Sequence, residues 1–265
     1  MKKLSIIFED SNILVLEKPA GLVVNRSSSQ VETLQDLVAK YLRLPKVEGI
    51  GERVEGLGQQ SAFLERSGIV HRIDKETSGL ILAAKNEKSF EKLQAQFAQR
   101  NVEKEYLCLV HGWMKDDGGE ITSPIGRLGS GKFGVLECGR EAVTEYEVTE
   151  NLKLKTERFQ ELLSAFGKRL SAFFEKEARE YSYLRVYPKT GRTHQIRVHL
   201  KSINHPIVSD PLYLGRRFAK FDAKFCPRLF LHASKIKFSH PASQKTMEFS
   251  SPLPSDLQNV LDQLE

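Results

Sequence analysis

The stretch His71-Arg72-Ile73-Asp74-Lys75-Glu76-Thr77-Ser78-Gly79-Leu80-Ile81-Leu82-Ala83-Ala84-Lys85-Asn86 changes character half-way along. Its first half is charged, with a lone carboxylate, Asp74, set between Arg72 and Lys75. From Gly79 to Lys85 it becomes a short apolar run, the pattern of a buried strand. Asn86 then suits a helix N-cap, and Phe90, Leu93 and Phe97 follow at the spacing of one inner helical face, with Lys and Gln outward. Upstream, Leu4–Phe8 and Ile13–Leu16 flank Asp10-Ser11-Asn12 as strand, turn and strand. Lys18-Pro19-Ala20-Gly21 ends the second strand, because proline donates no ladder hydrogen bond and glycine permits a sharp bend. Thr33 caps a helix carrying Leu34, Leu37, Val38, Tyr41 and Leu42 on one face, and the Gly- and Glu-rich residues 45–66 read as a surface loop.

Downstream, residues 102–110 and 142–149 alternate as half-buried strands do, with turns at Asp117-Gly118-Gly119 and Gly129–Gly134 between them. Residues 157–179 form an amphipathic helix or helix pair through Phe159, Leu162, Leu163, Phe166, Leu170 and Phe173. Tyr181–Tyr187 is a further strand and Lys189-Thr190-Gly191 a tight turn. Thr193 caps a helix that runs to about Ile203, where Asn204-His205-Pro206 stops it. A strand over Leu229–Phe238 and a helix from near Ser255 close the chain. Strands joined mostly by short turns predict an α+β fold, a mixed and mainly antiparallel sheet with flanking helices.

The 265 residues carry 40 Lys+Arg against 34 Asp+Glu, a net charge of +6, and are 40% hydrophobic and 28% charged. That length and balance fit a globular chain of one large or two small domains and exclude disorder as the main state. Apolar runs such as Leu80–Ala84 fall far short of the roughly 20 residues a bilayer needs. Met1-Lys2-Lys3 is followed by too few apolar residues for a secretory signal. Cys108, Cys138 and Cys226 are odd in number and widely spaced, which argues against a disulfide framework and a cysteine zinc site and points to a reducing cytoplasm. The basic excess suits a polyanionic partner without requiring one.

Several chemistries drop out on spacing. Gly126–Lys132 spells G-x-x-x-x-G-K, but Phe133 stands where Ser or Thr must meet magnesium and no helix follows, so the segment reads as a hairpin loop. His194 and His199 are five apart where one helical face needs four, and no metal site is expected. The G-x-S-x-G nucleophile elbow is absent. What remains is Asp74 and a second cluster. A carboxylate set between cations is a candidate nucleophile or base, although a surface ion-pair cluster explains the same charges. Lys189-Thr190-Gly191-Arg192-Thr193-His194-Gln195-Ile196-Arg197 puts three cations and a glycine turn at a helix start. That suits phosphate or carboxylate, and a solvated, capped helix face fits as well.

At these two stretches the chain resembles the RluA-type pseudouridine synthases, which isomerise chosen uridines in structured RNA. Glu17-Lys18-Pro19-Ala20-Gly21 is similar to the family's first motif and HRIDKETSG with LILAAKN to its second, catalytic one. KEYLCLVHG, residues 104–112, resembles the strand of the active-site tyrosine. Pro124–Arg127 and GREAVTEYEV, residues 139–148, match further strands. KTGRTHQIRVHL with HPIVSDPLY resembles the third motif, and residues 229–241 resemble the closing strand. The blocks run in order over most of the chain.

The resemblance implies a catalytic fold with a central cleft. Asp74 is the essential aspartate, attacking the uridine at sugar or base so that the uracil detaches, turns and rejoins through C5. Tyr106 stacks on the base and helps remove the C5 proton, and Arg197 pairs with the aspartate. Arg72 contacts the gap left by the flipped nucleotide, Leu231 lines the pocket, and Lys18 with Pro19 supports the tyrosine and the pocket floor. The residues expected to meet substrate and RNA are Arg72, Leu231, Arg192, His194, Lys189 and Lys18. The implied partner is structured rRNA or tRNA, with no cofactor, nucleotide, metal or membrane, and the expected state is a cytoplasmic monomer. Ile73 replaces a more usual leucine, and Asn25 stands where many relatives have histidine. The catalytic pattern begins almost at Met1, with no S4-type domain ahead of it, which leans the expected substrate towards tRNA or a dual one. Residues 1–265 are expected to form one catalytic domain with insertions at 45–66 and 156–179. Arg158, Lys168, Arg169, Lys176 and Arg179 in the second insertion touch RNA or line a solvated helix. The alternatives are a catalytically idle RNA-binding domain of the same fold and an aspartate-dependent glycosidase.

Overall fold

Asp10 sets the first turn: its carboxylate accepts the backbone N–H groups of Asn12 at 2.7 Å and Ile13 at 2.8 Å, the local bonding that makes Asp a turn residue. The turn joins strands β1 (Ser5–Glu9) and β2 (Ile13–Lys18). The computed structural model describes residues 4–26, 32–45 and 61–265. After β2 come helices α1 (Leu34–Tyr41) and α2 (Ala62–Glu65), strand β3 (Ser78–Ala84) and helix α3 (Glu87–Ala98). Strands β4 (Glu103–His111), β5 (Gly118–Thr122), β6 (Ile125–Arg127), β7 (Phe133–Val135) and β8 (Val143–Lys153) follow. Then come α4 (Thr156–Ser164), α5 (Lys168–Glu177), β9 (Glu180–Pro188), α6 (Gln195–Ser202), α7 (Arg216–Asp222), β10 (Leu231–Ser239), β11 (Thr246–Ser250) and α8 (Ser255–Leu261). The chain divides into two units, Met1–Glu103 with Lys235–Ser251, and Lys104–Ser234 with Pro252–Glu265.

In the first unit β2 lies between β1 and β3, antiparallel to both, with Ile13 opposite Ala84 and Lys18 opposite Gly79. Every residue of β3 is buried, as its unbroken apolar run requires. Thr33 and Asp36 form a capping box at α1, and Asn86 accepts the Ser89 N–H at 3.0 Å to cap α3. Tyr41, expected on the inner face of α1, is 44% exposed and donates its hydroxyl to Glu9 at 2.6 Å. The expected loop at 45–66 holds a helix instead: Ser61 caps α2, whose Phe63 is buried with its ring 5.9 Å from that of Phe90. The rest of that expected loop, 46–60, lies outside the described residues.

In the second unit the strands are ordered β4, β9, β8, β5, with antiparallel neighbours throughout. The G-x-x-x-x-G-K segment is the turn of the β6–β7 hairpin, with Arg127 opposite Phe133. Residues 156–179 hold the pair α4 and α5, which pack with α7 through Phe166, Phe174 and Phe221. Two cations of that insertion turn inward: Arg158 bonds Glu161, Gln263 and the Lys224 carbonyl, and Arg179 bonds Thr156 and the Leu154 carbonyl. Thr193 does not cap α6. The cap position is His194, in the left-handed region at φ 56°, and its side chain makes no capping bond. The α+β class with mainly antiparallel pairing holds.

Cys108 and Cys226 are buried, while Cys138 is exposed. Burial raises both inner thiols, Cys226 to about 12, and only the thiolate is nucleophilic. A disulfide exchange reagent at neutral pH is therefore expected to titrate one thiol rapidly in the native chain and all three of its cysteines after denaturation. Rapid release of a second equivalent would contradict this burial.

Candidate active site

In the first unit Asp74 sits half-buried on the loop that leads into β3, and the main chain on either side of it is fixed. Ile73 is 5% exposed and anchors the loop from below. On the other side the Lys75 carbonyl accepts the Gly21 N–H at 2.8 Å and the Lys18 ammonium at 3.0 Å. Lys18 is fully buried and also donates to the carbonyls of Pro19 at 2.9 Å and Leu22 at 2.8 Å. Its charge serves the backbone and ties the loop after β2 to the residue following Asp74. Gly21, at φ 82°, supplies the left-handed bend this approach needs. The Thr77 N–H closes a turn on the Asp74 carbonyl at 3.2 Å. Arg72 points outward, exposed. His71 is occupied structurally: its Nε2 accepts the Leu82 N–H at 2.9 Å and its ring stacks on Phe97 at 4.8 Å.

Removing the Lys18 ammonium strands three carbonyls around a buried site. Lys18→Met is expected to cost roughly 2–4 kcal/mol, because the loss of three hydrogen bonds to a charged group, each worth about 1.5–3 kcal/mol, is partly offset by removing the desolvation cost of the buried ammonium. Urea unfolding checks this, and a loss under about 0.5 kcal/mol, the scale of a neutral surface change, would contradict it.

In the second unit Tyr106 is buried on β4 opposite Val186, and Leu231 is buried at the start of β10. Arg197 on α6 is 2% exposed, and its guanidinium makes a two-pronged pair with Asp210, Nε to Oδ2 at 2.8 Å and Nη2 to Oδ1 at 2.7 Å. Asp210 is 1% exposed and also accepts the N–H groups of Leu212 at 2.8 Å and Tyr213 at 3.0 Å. The Arg197 guanidinium lies over the Tyr213 ring at 5.0 Å, and the Tyr213 hydroxyl shares a hydrogen bond with His194 Nδ1 at 2.8 Å. Gln195 knits the α6 start to β8. It accepts from Thr190 at 2.6 Å and the Arg192 N–H at 3.0 Å, and donates to Val143 and Thr144.

Asp210, Tyr213 and Gln195 are thus the supports that motif reading missed, although all three lie inside the stretches that carry the resemblance. For Asp210 a signal was present: a carboxylate in the apolar run from Pro206 to Leu214 must be paired if buried.

A cavity of about 400 Å³ opens beside these residues, lined among others by Arg127, Phe133, Cys138, Arg140, Arg192 and Thr193. Arg192 is steadied by a 3.0 Å bond from Nε to the Glu141 carbonyl. Three arginines and an aromatic ring around one hollow suit a phosphate with an adjoining base. Lys189 is exposed and paired with Glu145 at 2.7 Å.

The chain belongs to the RNA pseudouridylate synthase family, whose model matches residues 12–202, and so converts uridine in RNA to pseudouridine. It is 36% identical over 265 residues to the ribosomal large subunit pseudouridine synthase D of Pseudomonas aeruginosa, covering 96% of this chain and 69% of that protein. It is 35% identical to the synthase C of Vibrio cholerae, covering 98% and 69%, and 33% identical to an uncharacterized RNA pseudouridine synthase of Bacillus subtilis, covering 98% and 73%. In fold it resembles the human RNA pseudouridylate synthase domain containing 1, at a TM-score of 0.64 and 23% identity over 94% of this chain and 83% of that one. Human domain containing 4 gives 0.65 and 21% identity over 98% and 94%. Among the described residues no helix is long and apolar enough to cross a membrane.

Proposed function

We propose that the chain isomerises specific uridines of large-subunit ribosomal RNA, with Asp74 as nucleophile. The observation that carries this is the immobilised loop around Asp74: a half-buried carboxylate whose neighbours are bonded down by Lys18 and Gly21. A nucleophile so held enters the reaction without ordering cost. Tyr106 stacks on the uracil and helps take the C5 proton, and Arg197 is the aspartate's electrostatic partner, as the resemblance implies. The Asp210 pair uses two of the guanidinium's five donors and fixes its plane. Arg72, Leu231, Lys189, Arg192 and His194 meet the substrate RNA, while Lys18 positions the Asp74 loop. The N1–C1′ bond breaks, the C5–C1′ bond forms, the C5 proton leaves to water and N1 gains one. Electrons balance within the uridine, so the chemistry calls for no cofactor.

The ribosomal substrate is supported by the names of the relatives in Pseudomonas and Vibrio. The enzyme acts as a cytoplasmic monomer, one catalytic domain with insertions at 45–66 and 156–179. The test is tritium release from C5-labelled RNA, comparing protein-free large-subunit rRNA with bulk tRNA. Release from rRNA alone is expected. Release from tRNA alone would move the substrate, and binding without any release would leave an idle RNA-binding domain.

A further inference from the structure

Helix α7 carries Arg216, Arg217 and Lys220, with Lys224 one turn beyond, at spacings of one, four and eight residues. At 100° per residue Arg216, Arg217 and Lys220 fall within about 100° of the helix circumference, Lys224 follows just past the C-cap, and all four are exposed. The opposite face is buried: Phe221 packs on Phe174 at 4.7 Å. Asp222, the only carboxylate of α7, is turned inward to His111 at 2.9 Å and the Ser209 N–H at 2.7 Å. Among the described residues no carboxylate lies within ion-pair distance of the four cations, whereas Lys189, Lys235 and Lys237 elsewhere on the surface are paired. Arg217 is further held over the Phe173 ring of α5 at 5.1 Å. Like charges kept together without counter-ions on a packed helix cost self-repulsion, which a polyanion relieves.

We propose that this face of α7 binds the phosphate backbone of a helical RNA segment away from the target uridine. A row of cations on a rigid rod follows a backbone and reads no bases, so the contact sets affinity and register without sequence preference. The assignment revises the RNA-contacting set of the 156–179 insertion. Arg158 and Arg179 are engaged in holding the fold, and α7 supplies the main contact. It rests on RNA being the substrate, and deepens that reading by naming where the flanking helix lies.

The test is the affinity of a labelled RNA duplex, which presents no flipped uridine, measured across a salt series for wild type and R216Q/R217Q/K220Q/K224Q. Four lost phosphate contacts are expected to weaken binding about 10-fold or more and to lower the slope of log affinity against log salt by about 3.6. The charge-keeping variant R216K/R217K/K220R/K224R is expected to bind within about twofold of wild type, as point-charge contacts allow. Unchanged affinity and slope in the Gln variant would overturn the proposal. So would equal loss in the charge-keeping variant, or binding of anionic vesicles by this face with duplex affinity intact. C5-tritium release by wild type on large-subunit rRNA is run alongside, and its failure would count against the proposed function and leave the duplex result standing.

Discussion

Asp74→Ala is expected to abolish tritium release from C5-labelled rRNA, lowering the rate by about 10⁴-fold or more, the scale on which removal of an essential nucleophile acts. RNA affinity should stay within about threefold, because binding is dominated by cations along the backbone and not by one carboxylate. The loop should keep its course, since Ile73 remains buried and the Lys75 carbonyl keeps its bonds to Gly21 and Lys18. Asp74→Asn, nearly the same shape, should fail equally, because an amide is no nucleophile at neutral pH. Single-turnover assays with filter binding on the same preparations separate the two effects. Wild-type-like turnover in either variant would remove Asp74 from the chemistry.

The second large effect concerns stability as well as rate. Asp210→Ala leaves the Arg197 guanidinium buried and short of its partner, and breaking a buried pair in this way costs about 3–5 kcal/mol. For a chain of this size that lowers the melting temperature by roughly 10 °C. Turnover should fall too, since the plane of Arg197 is set by the two bonds to Asp210. Asp210→Leu with Arg197→Met should recover most of the stability, because replacing both charges removes the desolvation cost along with the attraction, yet stay inactive. Glu145→Ala, at the exposed pair with Lys189, is the control and should cost under about 1 kcal/mol. A loss at Asp210 no larger than that control would contradict the pairing.

Much of this was legible in residues whose conformation is decided locally. Thr33 and Asn86 cap their helices because a short polar side chain meets the first free amides, and the run from Gly79 to Ala84 had to be a buried strand. The missed elements depend on distant partners. Helix α2 is a single turn, held by Phe63 meeting Phe90 far along the chain, and no local period announces so short a piece. Helix α7 has a polar sequence whose inner face appears only once Phe218 and Phe221 meet α5. Thr193 had the chemistry of a cap, but the left-handed turn at His194 and the Gln195 bridge to β8 set where α6 begins. Asp74 and Arg197 stood out through their motifs. Asp210 did not, because its partner lies 13 residues away and is reached only when the chain folds back after α6.

Isomerisation that depends on Asp74 is decided by a mass balance. C5-labelled large-subunit rRNA is incubated with wild-type protein, and tritium released to water is counted against pseudouridine in the nuclease digest and free uracil in the supernatant. One tritium per pseudouridine is expected, with no free uracil, an unbroken chain and nothing released by Asp74→Ala. Free uracil with abasic sites would make the protein a glycosidase, and tight binding with neither product would make it an RNA-binding domain without catalysis.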